Sequence, residues 1–424
     1  MPASTLITNI GELWTLDPAL DDAPQQQVLR GAALLLEGER VAWYGPMSQT
    51  PAADVQVDAG GRAVLPGWVD SHSHLLFDGD RSAEFEARMA GRAYAAGGIQ
   101  VTTDATRSAL AGDLLEPLVR ARIAEAWAGG TTCLETKTGY GLSLEGEALS
   151  ARLAGRLVAD GTLEEATYLG AHLVPREYAQ DPDAYVDLAA GAMLEAALAA
   201  AGGRMRWADV FCEDGAFDED ASRRVLEAAR QAGLGLRVHG HQLGRSGGVA
   251  LACELGAASV DHVNHMSAAD IEALAATADR PVRDAGAGTL AVDAGPTVAT
   301  VLPACDLSTR APLAPARALL DAGARIALAS NCNPGTSYTS AMGFCVATAV
   351  LQMHLTLDEA IRAATRGGAL ALRRRDVGHL GVGARADVHL LEAPTAIHLA
   401  YRPGMPLTRA VWRRGRPIIT ARRP

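Results

Sequence analysis

Two histidines one residue apart, His72 and His74, follow the short run PGWVD in a chain of 424 residues. On an extended segment the side-chain period is two, so imidazoles at this spacing face the same side. Neutral imidazole is the commonest metal ligand among side chains, and two that converge make half of a mononuclear site. H-x-H alone is a weak signal. Its place at the end of the first strand of a repeating strand–helix pattern strengthens it. A third ligand is His239, which ends a later strand in RVHGHQL. His241 shares the parity of His239, and its plainer reading is a rim histidine bonded to a loop.

The elements that must position these groups are legible as a rhythm. Apolar strands are expected at 68–74, 131–137, 166–172, 207–213, 235–241, 258–265, 297–303 and 325–331. Between most of them lie stretches with apolar residues at i, i+3, i+4 spacing that end in glycine, such as EDASRRVLEAARQAG. Eight such strands alternating with helices predict an α/β fold of the (β/α)8 TIM-like barrel type. An open, doubly wound sheet is the competing topology, because periodicity alone cannot close a barrel. That topology would want a Gly-rich phosphate loop after its first strand, where this chain has His72, Ser73 and His74. Polar groups gather at the strand ends: Glu135, Lys137, His172, Glu213, His262 and Asn331 join the three histidines. Catalytic groups of barrel enzymes occupy that rim.

Both termini read as short strands divided by Gly, Asp and Pro. One small β-sandwich domain built from residues 1–65 and 385–424 is therefore expected around a barrel at 66–384. Two separate caps are the alternative. The Gly-rich stretch at 280–295 reads as a surface insertion and not as a functional lid.

The bulk properties narrow the function. Hydrophobic residues make up 49% and aromatic residues 4%, so the core must be aliphatic. The net charge is −11 and the only basic run is Arg373, Arg374 and Arg375, read as a solvated helix end; no stripe suited to nucleic acid is present. Six scattered cysteines form no C-x-x-C pair, which argues against a disulfide framework and a zinc knuckle. With neither a leader pattern at the N-terminus nor an apolar run of membrane length, a cytoplasmic protein is expected. The expected partner is a small-molecule substrate, with no nucleic acid and no membrane. A homodimer would be the commonest assembly.

The motifs PGWVDSHSHLLF, HGHQL and DHVNH together resemble the amidohydrolase superfamily. Within it, GGI with TTDATRSA, ETKTGYGL, YLGAHLVPREY, DVFCEDGAF and NCNPGTSYTS resemble the imidazolonepropionase family of histidine degradation over nearly the whole length. The resemblance implies one divalent ion, Zn2+ or Fe2+, on His72, His74 and His239. It implies that Arg81 contacts a substrate carboxylate, with a surface salt bridge as the plainer alternative, and that Tyr140 and His172 also touch substrate. Gln242 falls where the family pattern has Glu or Gln, and His262 would orient the water or polarise the attacked carbonyl. Asn333, Gly335 and Thr336 would meet the glutamate-like end of substrate or product.

One departure concerns the eighth strand, where the family pattern has an Asp that ligates the ion and accepts a proton. Here the sequence reads ALASNCNPG, with Asn331. A carboxamide oxygen can approach a metal weakly but cannot act as a base near neutral pH. An engineered substitution, a natural weakened or repurposed homologue, or proton transfer by another group such as His262 would each account for it. The expected activity is hydrolytic opening of the cyclic amide of 4-imidazolone-5-propanoate to N-formimidoyl-L-glutamate, impaired by Asn331. The alternatives are a purine- or pyrimidine-type aminohydrolase and an inactive ligand-binding homologue. A carboxylated-lysine binuclear site is not expected, because the sole lysine, Lys137, ends the second strand.

Overall fold

The computed structural model describes residues 4–91 and 98–420; of the GGI motif, Gly97 lies outside them. Eight strands build the central sheet: β1 (Trp68–Asp70), β2 (Thr131–Lys137), β3 (Glu165–Ala171), β4 (Trp207–Cys212), β5 (Gly235–Gly240), β6 (Ser259–His262), β7 (Val298–Val301) and β8 (Ile326–Leu328). They pair in sequence order, every neighbouring pair parallel. Between β8 and β1 the connection is made at the rim. Asn331 N donates to His72 O at 2.9 Å, His74 N donates to Cys332 O at 3.0 Å, and the Asp70 carboxylate accepts from Ser330 N at 3.0 Å. These bonds bring the first strand to the last and exclude the open-sheet topology. The chain segments that close the cylinder are the ones that carry His72, His74 and Asn331.

The crossover helices form where the sequence supplies both a buried stripe and end caps. In Glu219–Gln231, the Asp218 carboxylate accepts from Ala221 N, Glu219 and Asp220 occupy the first turn, and Arg230 the last. That arrangement complements the helix dipole while Val225, Leu226 and Ala229 face the barrel. A long apolar helical stretch, Pro182–Ala201, is divided at Gly191 and packs its second half on the helix Leu144–Ala159. The core between strands and helices is dominated by Ala, Leu and Val, as the scarcity of aromatics requires.

Strands from both ends of the chain share one mainly antiparallel sheet, in the order Arg416–Ile419, Thr408–Arg413, Val388–Leu391, Ala63–Pro66, Ser4–Trp14, Val28–Glu37, Arg40–Pro46, with Val55–Asp58 pairing Ser4–Trp14. Ile7, Ile10, Leu34, Val64, Val388 and Trp412 give it a core of its own. The expected union of the two termini is thus formed by hydrogen bonds and not only by proximity.

Three expectations need correction. β1 ends at Asp70, so His72 and His74 lie in the irregular segment after it and not on a strand. The strands are not apolar throughout: Asp209, Arg237 and Asp261 are fully buried within β4, β5 and β6. Arg373–Arg375 is not a solvated helix end. Arg373 is buried and donates to Pro296 O at 2.7 Å, while Arg374 pairs with Asp376 and Glu165. The stretch at 280–295 contains a hairpin of Asp284–Gly286, which is exposed, and Thr289–Leu290, whose Leu290 is buried; an Arg375–Asp284 pair at 2.7 Å ties it to this basic segment.

Candidate metal centre and substrate pocket

His74 Nε2 lies 3.2 Å from His72 Nε2 and 3.1 Å from His239 Nε2, all three rings buried. Burial holds the His72 and His74 imidazoles well below the ordinary histidine range, so these nitrogens carry lone pairs. An ion bound tetrahedrally at about 2.0–2.1 Å from each ligand would separate the ligand atoms by roughly 3.3 Å, close to the spacing found. The orientation is set from behind. His72 Nδ1 is 2.7 Å from Asp261 Oδ2, and His239 Nδ1 is 3.0 Å from Asp209 Oδ1. A carboxylate can only accept, so each Nδ1 carries the hydrogen and each Nε2 is left for the ion. Burial works to raise both carboxyls. The hydrogen bond from His239 and the charge of Lys137 outweigh it at Asp209, and the charges of Arg237 and Lys137 do so at Asp261, so both are held below the usual range. His74 Nδ1 has no partner. The donor set fits a divalent ion.

His262 joins the cluster: its ligand atom and those of His72 and His239 lie within 4.8 Å of one another. Burial lowers its pKa well below the ordinary value, and its Nδ1 has no hydrogen-bond partner. The backbone there is unusual, with φ of 83° at His262 and 53° at Asn331, the left-handed region that non-glycine residues rarely enter. Strain of this kind concentrates at functional sites.

The pocket over the histidines is lined by His74, Arg81, Tyr140, His172, His239, Gln242, His262, Asn331, Asn333 and Thr336, with Ile99, Leu173 and Phe211 as apolar walls. Of the expected site residues only His72, beneath it, and Gly335 are absent from the lining. Gly335 meets Arg81 closely: a Cβ there would lie 2.1 Å from Arg81 Nη1. The Arg81 fork is engaged by Glu84, at 2.8 Å from both Nε and Nη2. His172 stacks on His74 with centroids 5.4 Å apart, and its Nδ1 is 2.9 Å from Gly139 O. Tyr140 is buried in a small cluster with Phe77, Ile99, Leu142 and Leu173 at the pocket wall.

The loop after β8 is held by bonds of its own. The Asn333 carboxamide is consumed within it, donating to Asn331 O at 2.7 Å and Thr336 Oγ1 at 2.8 Å and accepting from Gly335 N and Thr336 N. Asn333 therefore shapes the turn that presents Asn331. Asn331 Oδ1 has no partner. His241 is buried but does not line the pocket; its Nδ1 sits 3.8 Å from Asp270.

Sequence reasoning missed the residues behind the site. Asp209, Asp261 and Arg237 are buried in the barrel. Their signal was present as charged residues on strand parity with a ligand, as in Arg237 and His239. Glu213 was noted only as a rim group. Its carboxylate accepts from Gln242 N at 2.5 Å and Leu243 N at 3.2 Å and so seats Gln242, while burial pushes it up to about 7. Glu147 Oε1 accepts from Gly139 N, Gly141 N and Leu142 N, fixing the KTGYGL loop that carries Tyr140.

Comparison with known proteins agrees with this geometry. Imidazolonepropionase of Paenarthrobacter aurescens strain TC1 is 62% identical over 98% of this chain and 98% of its own length. The imidazolonepropionase of Micrococcus luteus is also 62% identical, over 98% of this chain and 100% of its own. Among solved structures, an adenosine deaminase from Xanthomonas campestris with bound zinc superposes with a TM-score of 0.65 at 19% identity, covering 99% of this chain and 93% of that one. Residues 63–418, which hold every strand of the barrel and every ligand candidate, match the amidohydrolase family, and the chain belongs to it.

Proposed function

We propose that this chain hydrolyses the cyclic amide of 4-imidazolone-5-propanoate to N-formimidoyl-L-glutamate, a ring-opening step of histidine degradation. The observation that carries the chemistry is the meeting of three Nε2 atoms under one pocket, two of them oriented by buried carboxylates. Full-length relatives at 62% identity carry the choice of substrate. The purine- or pyrimidine-type alternative has only fold-level likeness behind it.

His72, His74 and His239 would hold one divalent ion, Zn2+ or Fe2+, with Asn331 Oδ1 as a weak neutral fourth donor. Such an ion supplies Lewis-acid polarisation of the ring carbonyl and acidifies a water. Arg81 binds the propanoate through its planar fork once Glu84 gives way, since a bidentate carboxylate pair suits guanidinium geometry. Tyr140 and His172 border the ring, and Gln242 donates or accepts one hydrogen bond at the opposite wall. Among the described residues no carboxylate lines the pocket. His262, neutral and with a free Nδ1, is the group that can accept the proton from the attacking water.

A direct test is the ring-opening assay on metal-loaded native protein and on Asn331→Asp. Measurable turnover by the native chain that rises in the variant supports the reading. Zinc bound but no turnover by either protein would refute it.

A further inference from the structure

Lys137 is the sole lysine in a chain with 38 Lys and Arg side chains, and it is fully buried. Its Nζ lies 3.0 Å from Glu135 Oε1 and 3.0 Å from Asp209 Oδ2. Each carboxylate leads to a different half of the metal centre. Glu135 Oε2 accepts at 3.2 Å from the backbone N of Ser73, the residue between His72 and His74. Lys137 N also donates to Ser73 O at 3.1 Å. Asp209 Oδ1 holds His239 Nδ1 at 3.0 Å. The ammonium is thus the link between the segment after β1 and the strand β5, which are far apart in sequence.

A second feature concerns cation count. His72, Asp209 and Asp261 present ligand atoms within 4.8 Å of one another, a buried group that could hold a metal of its own. Its negative charge is already met: Lys137 stands on Asp209, and Arg237 Nη2 lies 3.3 Å from Asp261 Oδ2. A compact ammonium with three donors can serve two carboxylates from one point, which a planar guanidinium fork cannot do in the same space.

We propose that Lys137 is a positioning residue, a fixed internal cation that couples the two halves of the metal centre and takes the place of a second metal ion. This rests on His72, His74 and His239 being the metal ligands. Removing the ammonium leaves Asp209 without its counter-charge and frees it to turn from His239. Changes of that kind behind a metal ligand typically cost about 10–100-fold in metal affinity.

The test uses the full chain and its Lys137→Met variant, with zinc affinity read by competition against a chelating dye and zinc content by elemental analysis. The expected result is one zinc per native chain and a loss of about 10–100-fold in affinity in the variant. The visible absorption of the cobalt-substituted protein should shift as well, because the field at His239 has changed; a loss of folding stability alone would not shift it. Native affinity with an unshifted spectrum in Lys137→Met, or two zinc ions per native chain, would overturn the proposal. Should Lys137→Met fail to fold, Glu135→Gln removes one anchor of the same ammonium, and unchanged zinc affinity there overturns it equally. A native chain that binds no zinc or iron at all would instead overturn the ligand reading on which the proposal stands, and His239→Ala, expected to abolish binding, marks that case.

Discussion

Asn331 donates its carboxamide hydrogen to Thr336 Oγ1 at 3.3 Å, and its own Oδ1 is left without a partner beside the histidine cluster. Thr336 is held in turn by Asn333, so the amide has one preferred orientation. The oxygen therefore faces the site as a neutral donor, where a carboxylate would have offered both charge and basicity.

Replacing Asn331 by Asp should raise kcat by about 10²–10⁴-fold, the usual worth of a positioned general base. KM should change little, because substrate contacts lie elsewhere in the pocket. Steady-state kinetics on zinc-loaded protein checks this; equal kcat in both proteins would show that His262 suffices.

Removal of the metal should abolish turnover, and zinc or ferrous iron should restore it. His239→Ala should not be restorable, since it removes one of the three nitrogens, 3.1 Å from His74 Nε2, and takes from Asp209 its imidazole partner. Elemental analysis of dialysed protein reads the outcome directly.

The Arg81–Glu84 pair predicts two opposite changes in KM. Arg81→Lys loses the fork and should raise KM by roughly 10-fold or more, given about 1.5–3 kcal/mol for hydrogen bonds to charged groups. Glu84→Gln removes the competing carboxylate and should lower KM. Equal KM in the native chain and in Glu84→Gln would mean that Glu84 does not compete with substrate.

Glu147→Ala would leave Gly139 N, Gly141 N and Leu142 N without their common acceptor. An unsatisfied buried donor costs about 1–3 kcal/mol, so a loss of several kcal/mol in folding stability is expected, with a raised KM because Tyr140 rides on that loop. Denaturant unfolding and kinetics measure the two effects separately.

Burial at the head of the helix Pro303–Thr309 pushes the Asp306 carboxyl up from 3.8 to about 7, and its Oδ1 has no partner. The folded chain holds this proton more tightly than the unfolded one. Its contribution to stability is complete below the unfolded pKa and is lost as pH rises through about 7. Asp306→Asn keeps the neutral form at every pH. The melting temperature of the variant should exceed the native value by a margin that grows from about pH 5 to about pH 8. A constant margin across that range would exclude Asp306 as the titrating group.

The strand–helix rhythm of the barrel was legible in residue order. The rest was hidden for particular reasons. The spacing of His72 and His74 suggested a strand, yet they follow it, in a segment whose backbone bonds go to Asn331, Cys332 and Lys137 outside the regular ladder. Asn333 matched a substrate contact by motif, and residue order did not show that its amide, at the pocket lining, also closes the turn. Arg373 looked like surface charge and is buried against Pro296 O, since a run of three arginines says nothing about which one faces inward.

Residue order alone determined which groups could do chemistry and on which strand ends they sit, because side-chain type and hydrophobic period are local properties. Tertiary structure alone decided that the first strand meets the eighth, that Asp209 and Asp261 stand behind His239 and His72, and that one lysine joins both halves. Those are contacts between segments up to 260 residues apart, and only the closing of the cylinder brings them within a hydrogen bond of each other.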